Sequence, residues 1–242
     1  MQHEFDFPDV FVRIFDFLEK TSTDRGLFWN KIEELNNYRG RYKFMTDKKI
    51  FSTLTEIVFF SGMKARNVEK KLPAIREKLG DPDITSKYGE GDIKRLVENE
   101  SIIRHERKIR ACVENAKRFK RIVKKYGSFS NYLDSFRVDV EDFNGIKKKL
   151  VPALKNFSYL SNVTVYHFLM DLGFGVMKPD RTICRLFYRL GWIENIGDEE
   201  KVIEICRNIS RKTGYWIRVV DNFRIFLSRR GNANAWNKRW CV

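Results

Sequence analysis

An acid at the head of a helix can serve two purposes, and Asp180 in the run Lys178-Pro179-Asp180-Arg181-Thr182-Ile183 stands at such a head. Pro179 pre-sets the backbone for helix initiation. An aspartate beside it ordinarily caps the first turn by accepting a backbone N–H. The same carboxylate, favoured in its ionised form at the positive end of the helix dipole, can also stabilise positive charge developing on a bound molecule. Around it the chain offers cations and flat rings. Lys147, Lys148 and Lys149, with Arg104, Lys108 and Arg181, are candidate phosphate contacts, each equally readable as a solvated charge. Phe28, Trp29, Phe59, Phe60, Tyr159 and Tyr166 are candidate ring faces for a flat or cationic ligand, although aromatics at helical spacing mostly fill cores. Glu56 reads as a buried second carboxylate, for which a charged partner is the ordinary explanation. His105 and His167 read as structural or phosphate-facing.

The elements that must position these groups are helices. Ile109, Cys112, Val113 and Ala116 repeat at i, i+3, i+4 and i+7, and so do Val165, Phe168, Leu169 and Leu172. The spacing returns at Ile183, Leu186, Phe187 and Leu190, then at Val202, Ile205, Cys206 and Ile209. Strand-like alternation is scarce. Breakers such as Pro73, Gly80-Asp81-Pro82, Gly127, Gly145, Gly173 to Gly175 and Gly214 separate the runs, which predicts an all-α fold of about ten helices. Expected divisions are N-terminal helices over 1–44 packing with the C-terminal group, a barrel-like unit over 45–150, a helical group over 151–228 and a basic tail over 229–242. The two helical subdomains that result are expected to flank a cleft. Leu150 to Asn156, the connector Phe157 to Asn162 and the helix Val163 to Leu172 form a predicted helix–hairpin–helix, whose amides and helix N-terminus can hold a phosphate.

Charge narrows the partner. Lys plus Arg number 47 against 32 Asp plus Glu, a formal net charge of +15 over 242 residues. That surplus favours a polyanion, because neutralised phosphates release their counterions. No stretch approaches the ~20 apolar residues of a membrane span. The acidic start from Met1 to Asp9 is unlike a secretory signal. The four cysteines lie far apart, and Cys112, Cys184 and Cys206 sit on apolar stripes, which suits free thiols in a reducing intracellular compartment. No metal cluster with ligand spacing is expected, since His3 and Cys241 do not form one.

In their order, three stretches resemble the helix-hairpin-helix DNA glycosylase superfamily. Asp180 falls where that superfamily has its catalytic aspartate, after the hairpin, with Ile183 and Arg185 continuing the helix. Phe51 to Gly62, followed by Asn67 to Leu72, resembles the opening helix, damage-sensing turn and helix of its barrel domain. Asp92 to Val97, Ile102-Ile103-Arg104-His105, Lys108-Ile109 and Asn115-Ala116 are closest to 3-methyladenine DNA glycosylase I. The resemblance covers roughly residues 45–192. It implies a base-flipping enzyme that breaks the glycosidic bond of a damaged base in double-stranded DNA, acting as a monomer and without a cofactor. It assigns Asp180 to catalysis; on that reading Trp29, Phe28, Glu56 and Phe60 are candidates for a base pocket, and Met63 for the duplex wedge. Tyr159, Ser161, Asn162, Lys147, Lys148, Arg104, Lys108 and Arg181 would meet DNA.

The chain also departs from that pattern. Tyr159 and Ser161 stand where the hairpin usually has glycines, and Gly62-Met63-Lys64 replaces a wedge glutamine. Val163 occupies the position of the Schiff-base lysine of bifunctional members, so amine-driven strand cleavage is not expected. The four clustered cysteines of iron–sulfur members are absent, and so are convincing zinc ligands. Excision of an alkylated or deaminated purine is the leading expectation. An oxidised or mispaired base, or a module that binds DNA and cuts nothing, remain the alternatives.

Overall fold

The computed structural model describes residues 7–22 and 24–228, and every regular element among them is helical. The helices are α1 (Phe7–Thr21), α2 (Arg25–Asn36), α3 (Asp47–Phe60), α4 (Ala65–Glu69) and α5 (Leu72–Leu79). Next come α6 (Pro82–Thr85), α7 (Glu90–Glu98), α8 (Glu106–Tyr126), α9 (Phe129–Asp134) and α10 (Phe143–Gly145). A wide π turn, Ile146–Leu150, leads into α11 (Val151–Leu154). The last four are α12 (Asn162–Asp171), α13 (Arg181–Arg189), α14 (Glu199–Thr213) and α15 (Ile217–Ser228). Among the described residues two compact units result, one of Gly40–Leu172 and one assembled from those up to Arg39 with those from Gly173 onward.

In the Gly40–Leu172 unit α3 and α8 form the core. Thr46 caps α3 by accepting from the Lys49 amide at 3.2 Å. The helix then buries Ile50, Phe51, Leu54, Ile57, Val58 and Phe59. The stripe read on α8 is buried as its period requires, with Ile109, Cys112, Val113, Ala116 and Phe119 inside. Phe119 stacks on Phe129 at 4.4 Å between centroids and meets Phe51 edge-on at 5.3 Å. Gly127 closes α8 at a φ of 83°, a left-handed turn that suits glycine. Helix α12 buries Val165, Phe168 and Leu169 and packs against α3.

In the other unit α1 packs on α14, α2 on α15, and α13 on both α14 and α15. Phe15 lies edge-on to Phe28 at 5.4 Å and stacks on Tyr215 at 4.7 Å. The Trp216 amide donates to the Asn36 side-chain oxygen at 2.8 Å, tying the start of α15 to the end of α2.

The division differs from the one expected after residue 150. It falls after Leu172, so residues 151–172 belong with the preceding helices and not with the C-terminal group. The cause is burial: Leu154, Val165, Phe168 and Leu169 complete the core beneath α3. The expected tail over 229–242, with Trp236, Trp240 and Cys241, and also His3, lie outside the described residues. No helix among the described residues is long and apolar enough to cross a membrane.

Candidate functional site

Asp180 is the N-cap of α13. Its Oδ1 accepts from the amides of Thr182 at 3.0 Å and Ile183 at 3.2 Å, while Oδ2 lies 3.9 Å from the Lys178 ammonium. The carboxylate is partly exposed. Its place is fixed from below: Ile183, Cys184 and Phe187 bury the inner face of α13, and Phe187 meets Trp192 edge-on at 4.8 Å. The loop leading in is held as well, because the Arg207 guanidinium on α14 donates to the Gly175 carbonyl at 2.5 Å. Asp180 is thus a cap through one oxygen, the other facing the Lys178 ammonium. Arg181 beside it is exposed.

The turn between α11 and α12 is built from side chains gripping backbone. Thr164 accepts from the Ser161 amide at 2.7 Å and donates to the Tyr159 carbonyl at 2.6 Å. Lys155 donates to the Asn162 side-chain oxygen at 2.6 Å. Tyr159 adopts a φ of 69°, the left-handed region that glycine enters freely. Ser161 and Asn162 are exposed, and Val163 is half-buried in the first turn of α12. Lys148 is exposed on the π turn that precedes α11, with Lys147 half-buried beside it.

At the other end of the same core, α3 gives way to a turn at Gly62, whose φ is 69°. Met63 and Phe60 are half-buried there and pack on the core formed by Val58, Phe59, Ile109 and Cys112. Three expectations need correction. Phe28 is wholly buried between Phe15 and Trp29, so it is a core residue and presents no face to a ligand. Glu56 is held in a two-pronged pair by Arg76, with contacts of 2.8 and 3.0 Å, and is therefore a partnered acid and not a spare pocket carboxylate. Lys108 is only 3% exposed and donates to the carbonyls of Val58 at 2.5 Å and Ser61 at 2.6 Å. It closes the C-terminus of α3, its ammonium committed to these carbonyls and turned away from solvent. Burial holds its ammonium below the usual lysine range. Trp29 is 42% exposed, its indole donating to Glu19 at 3.3 Å, and it lies in a different unit from Phe60, Glu56 and Met63. Arg104 is exposed, 3.5 Å from Glu100.

A model of the methyladenine glycosylase family matches residues 37–184, a span that includes α3, α8, the turn over 155–161 and Asp180. The chain belongs to the methyladenine glycosylase family. The DNA-3-methyladenine glycosylase of Haemophilus influenzae is 30% identical over 129 residues, which are 47% of this chain and 70% of that protein. Two solved structures share the fold across nearly the whole chain. The 8-oxoguanine DNA glycosylase of Methanocaldococcus jannaschii has a TM-score of 0.62 at 15% identity, covering 94% of this chain and 99% of its own. That of Thermotoga maritima has a TM-score of 0.55 at 17% identity, covering 91% and 99%. In this member of the methyladenine glycosylase family, two polar residues stand out beyond those picked by type and spacing. They are Asn115, 2% exposed and bonded to Ser158, and Thr164, 8% exposed and bonded to Tyr159 and Ser161. An asparagine in the middle of an apolar helix stripe was the signal available for the first.

Proposed function

We propose that this chain is a monofunctional DNA glycosylase that everts a damaged purine, alkylated or deaminated, from duplex DNA and hydrolyses its glycosidic bond. The observation that carries the reading is Asp180: a carboxylate oriented by two amides at the head of α13, inside the span matched by the family. As the bond between base and sugar breaks, its electron pair leaves with the base and positive charge grows on the deoxyribose. Asp180 stabilises that charge, while a water oxygen bonds to C1′ and gives up its proton through the carboxylate to solvent. Val163, half-buried at the head of α12, carries no amine, so water is the nucleophile in place of a Schiff base. Methyladenine in the family's description makes an alkylated purine the first candidate. The turn over 155–161 acts as the helix-hairpin-helix that meets phosphates, and Met63 as the side chain that fills the gap left by the base.

Duplexes carrying one alkylated, deaminated or oxidised base each, treated with alkali after incubation, reveal abasic sites. The wild type is expected to cut an alkylated-purine duplex, and Asp180→Asn to lose at least about 100-fold in rate while binding as before. A wild type that binds duplex steeply with salt and cuts none of these lesions would leave a binding module in place of an enzyme.

A further inference from the structure

Two buried polar side chains of α8 take no part in the chemistry proposed above. Lys108 and Asn115 are seven residues apart, two turns along one helix face. Asn115 acts as a spare peptide group: its Oδ1 accepts from the Ser158 amide at 2.8 Å and its Nδ2 donates to the Ser158 carbonyl at 3.0 Å. Lys108 donates to the last carbonyls of α3, the turn that carries Met63, and its ammonium stands 4.7 Å from the centroid of the Tyr159 ring. Tyr159 itself sits in the left-handed conformation that residues with side chains resist. One helix thus grips two turns, one next to the peptide that is strained and the other at the end of α3.

We propose that Asn115 and Lys108 are positioning residues, holding the turn over 155–161 and the turn bearing Met63 in the one relative geometry that a duplex backbone and its opened base stack require. The role in DNA recognition rests on the glycosylase reading; the holding of the turns does not. Neither side chain touches DNA. Each acts through the backbone it fixes, and an amide aimed beforehand at a phosphate loses less freedom on binding.

Asn115→Leu and Lys108→Met keep size and remove the polar grip. Each is expected to raise the dissociation constant for an abasic-analogue duplex by about tenfold or more, the loss of one to two well-made hydrogen bonds. Adding Tyr159→Gly to Asn115→Leu should recover at least about threefold, because glycine takes the left-handed turn unaided. A residue that merely stabilises the fold would show no such rescue. Amide exchange at Ser158 and Ser161, followed without DNA, should speed up in Asn115→Leu and return toward wild type with glycine. Unchanged affinity and unchanged exchange in both single variants overturn the proposal, as does a binding loss that glycine leaves untouched. Wild-type protein that fails to bind duplex removes the glycosylase reading instead, and the exchange result alone then decides whether these residues hold the turn.

Discussion

The proposed reading puts two demands on one side chain, Asp180, and substitution separates them. Asparagine and serine cap helices about as well as aspartate, whereas alanine forfeits about 1 kcal/mol. Asp180→Asn and Asp180→Ser should therefore unfold at wild-type urea concentrations yet lack the rate, and Asp180→Ala should lose both. Wild-type rates in all three would reduce Asp180 to a cap. A second prediction at this scale concerns Cys112, wholly buried on α8 four residues from Lys108, where burial pushes the thiol up from 9.0 to about 12. The unfolded chain ionises this thiol first, so the native state binds more protons through the window from pH 9 to 12. The stability tied to Cys112 is full below pH 9 and falls with rising pH by up to ~1.4 kcal/mol per unit. Lys108, whose folded pKa is depressed by burial, contributes the opposite slope just below the ordinary lysine range. The difference between wild type and Cys112→Ala isolates the thiol: urea midpoints measured from pH 8 to 11 should converge as pH rises, and parallel curves would contradict it.

Among the elements, the α11–α12 turn shows how local signals and packing divide the work. The helix of Val163 to Leu172 and the amphipathic start at Asp180 were legible because each rests on spacing within a dozen residues. Lys108 was not. Set between Arg104 and Arg110 it looks like one more cation on a basic helix, and only the docking of the end of α3 over α8 buries it. Phe28 misleads for the same reason, since Phe15 comes from another helix to enclose it. Thr164 belongs to this scale because its hydroxyl joins the turn to the helix that follows. Thr164→Val keeps the shape but strands the Ser161 amide and the Tyr159 carbonyl, at a cost of about 1–3 kcal/mol. A lower urea midpoint together with weaker duplex binding is the expected result. An unchanged midpoint would mean that water replaces the hydroxyl at no cost.

For the whole molecule, what the sequence carries best is charge and helical content, and least well the division of the chain, because residues 151–172 join whichever core their apolar faces complete. Charge then yields a test that needs no knowledge of the lesion. A protein that neutralises 6–10 phosphates loses about 10³–10⁵ in affinity between 50 and 200 mM salt, with the slope set by the number of contacts. The net +15 permits such a count, but many cations are already engaged within the protein. Arg110 pairs with Glu90 at 2.7 Å and Glu106 at 2.8 Å, Arg76 with Glu56, and Lys48 with Asp81 at 2.9 Å. The exposed Lys148, next to the turn proposed to meet phosphate, is placed differently. Lys148→Gln should flatten the slope of log K against log salt by about 0.9 and weaken intact and damaged duplexes alike, because a phosphate contact carries no base information. Arg110→Gln should leave the slope as it is, its guanidinium being committed to two carboxylates. If instead Arg110 moved the slope and Lys148 did not, the DNA would have to lie along α8, and the face assigned here to the duplex would be the wrong one.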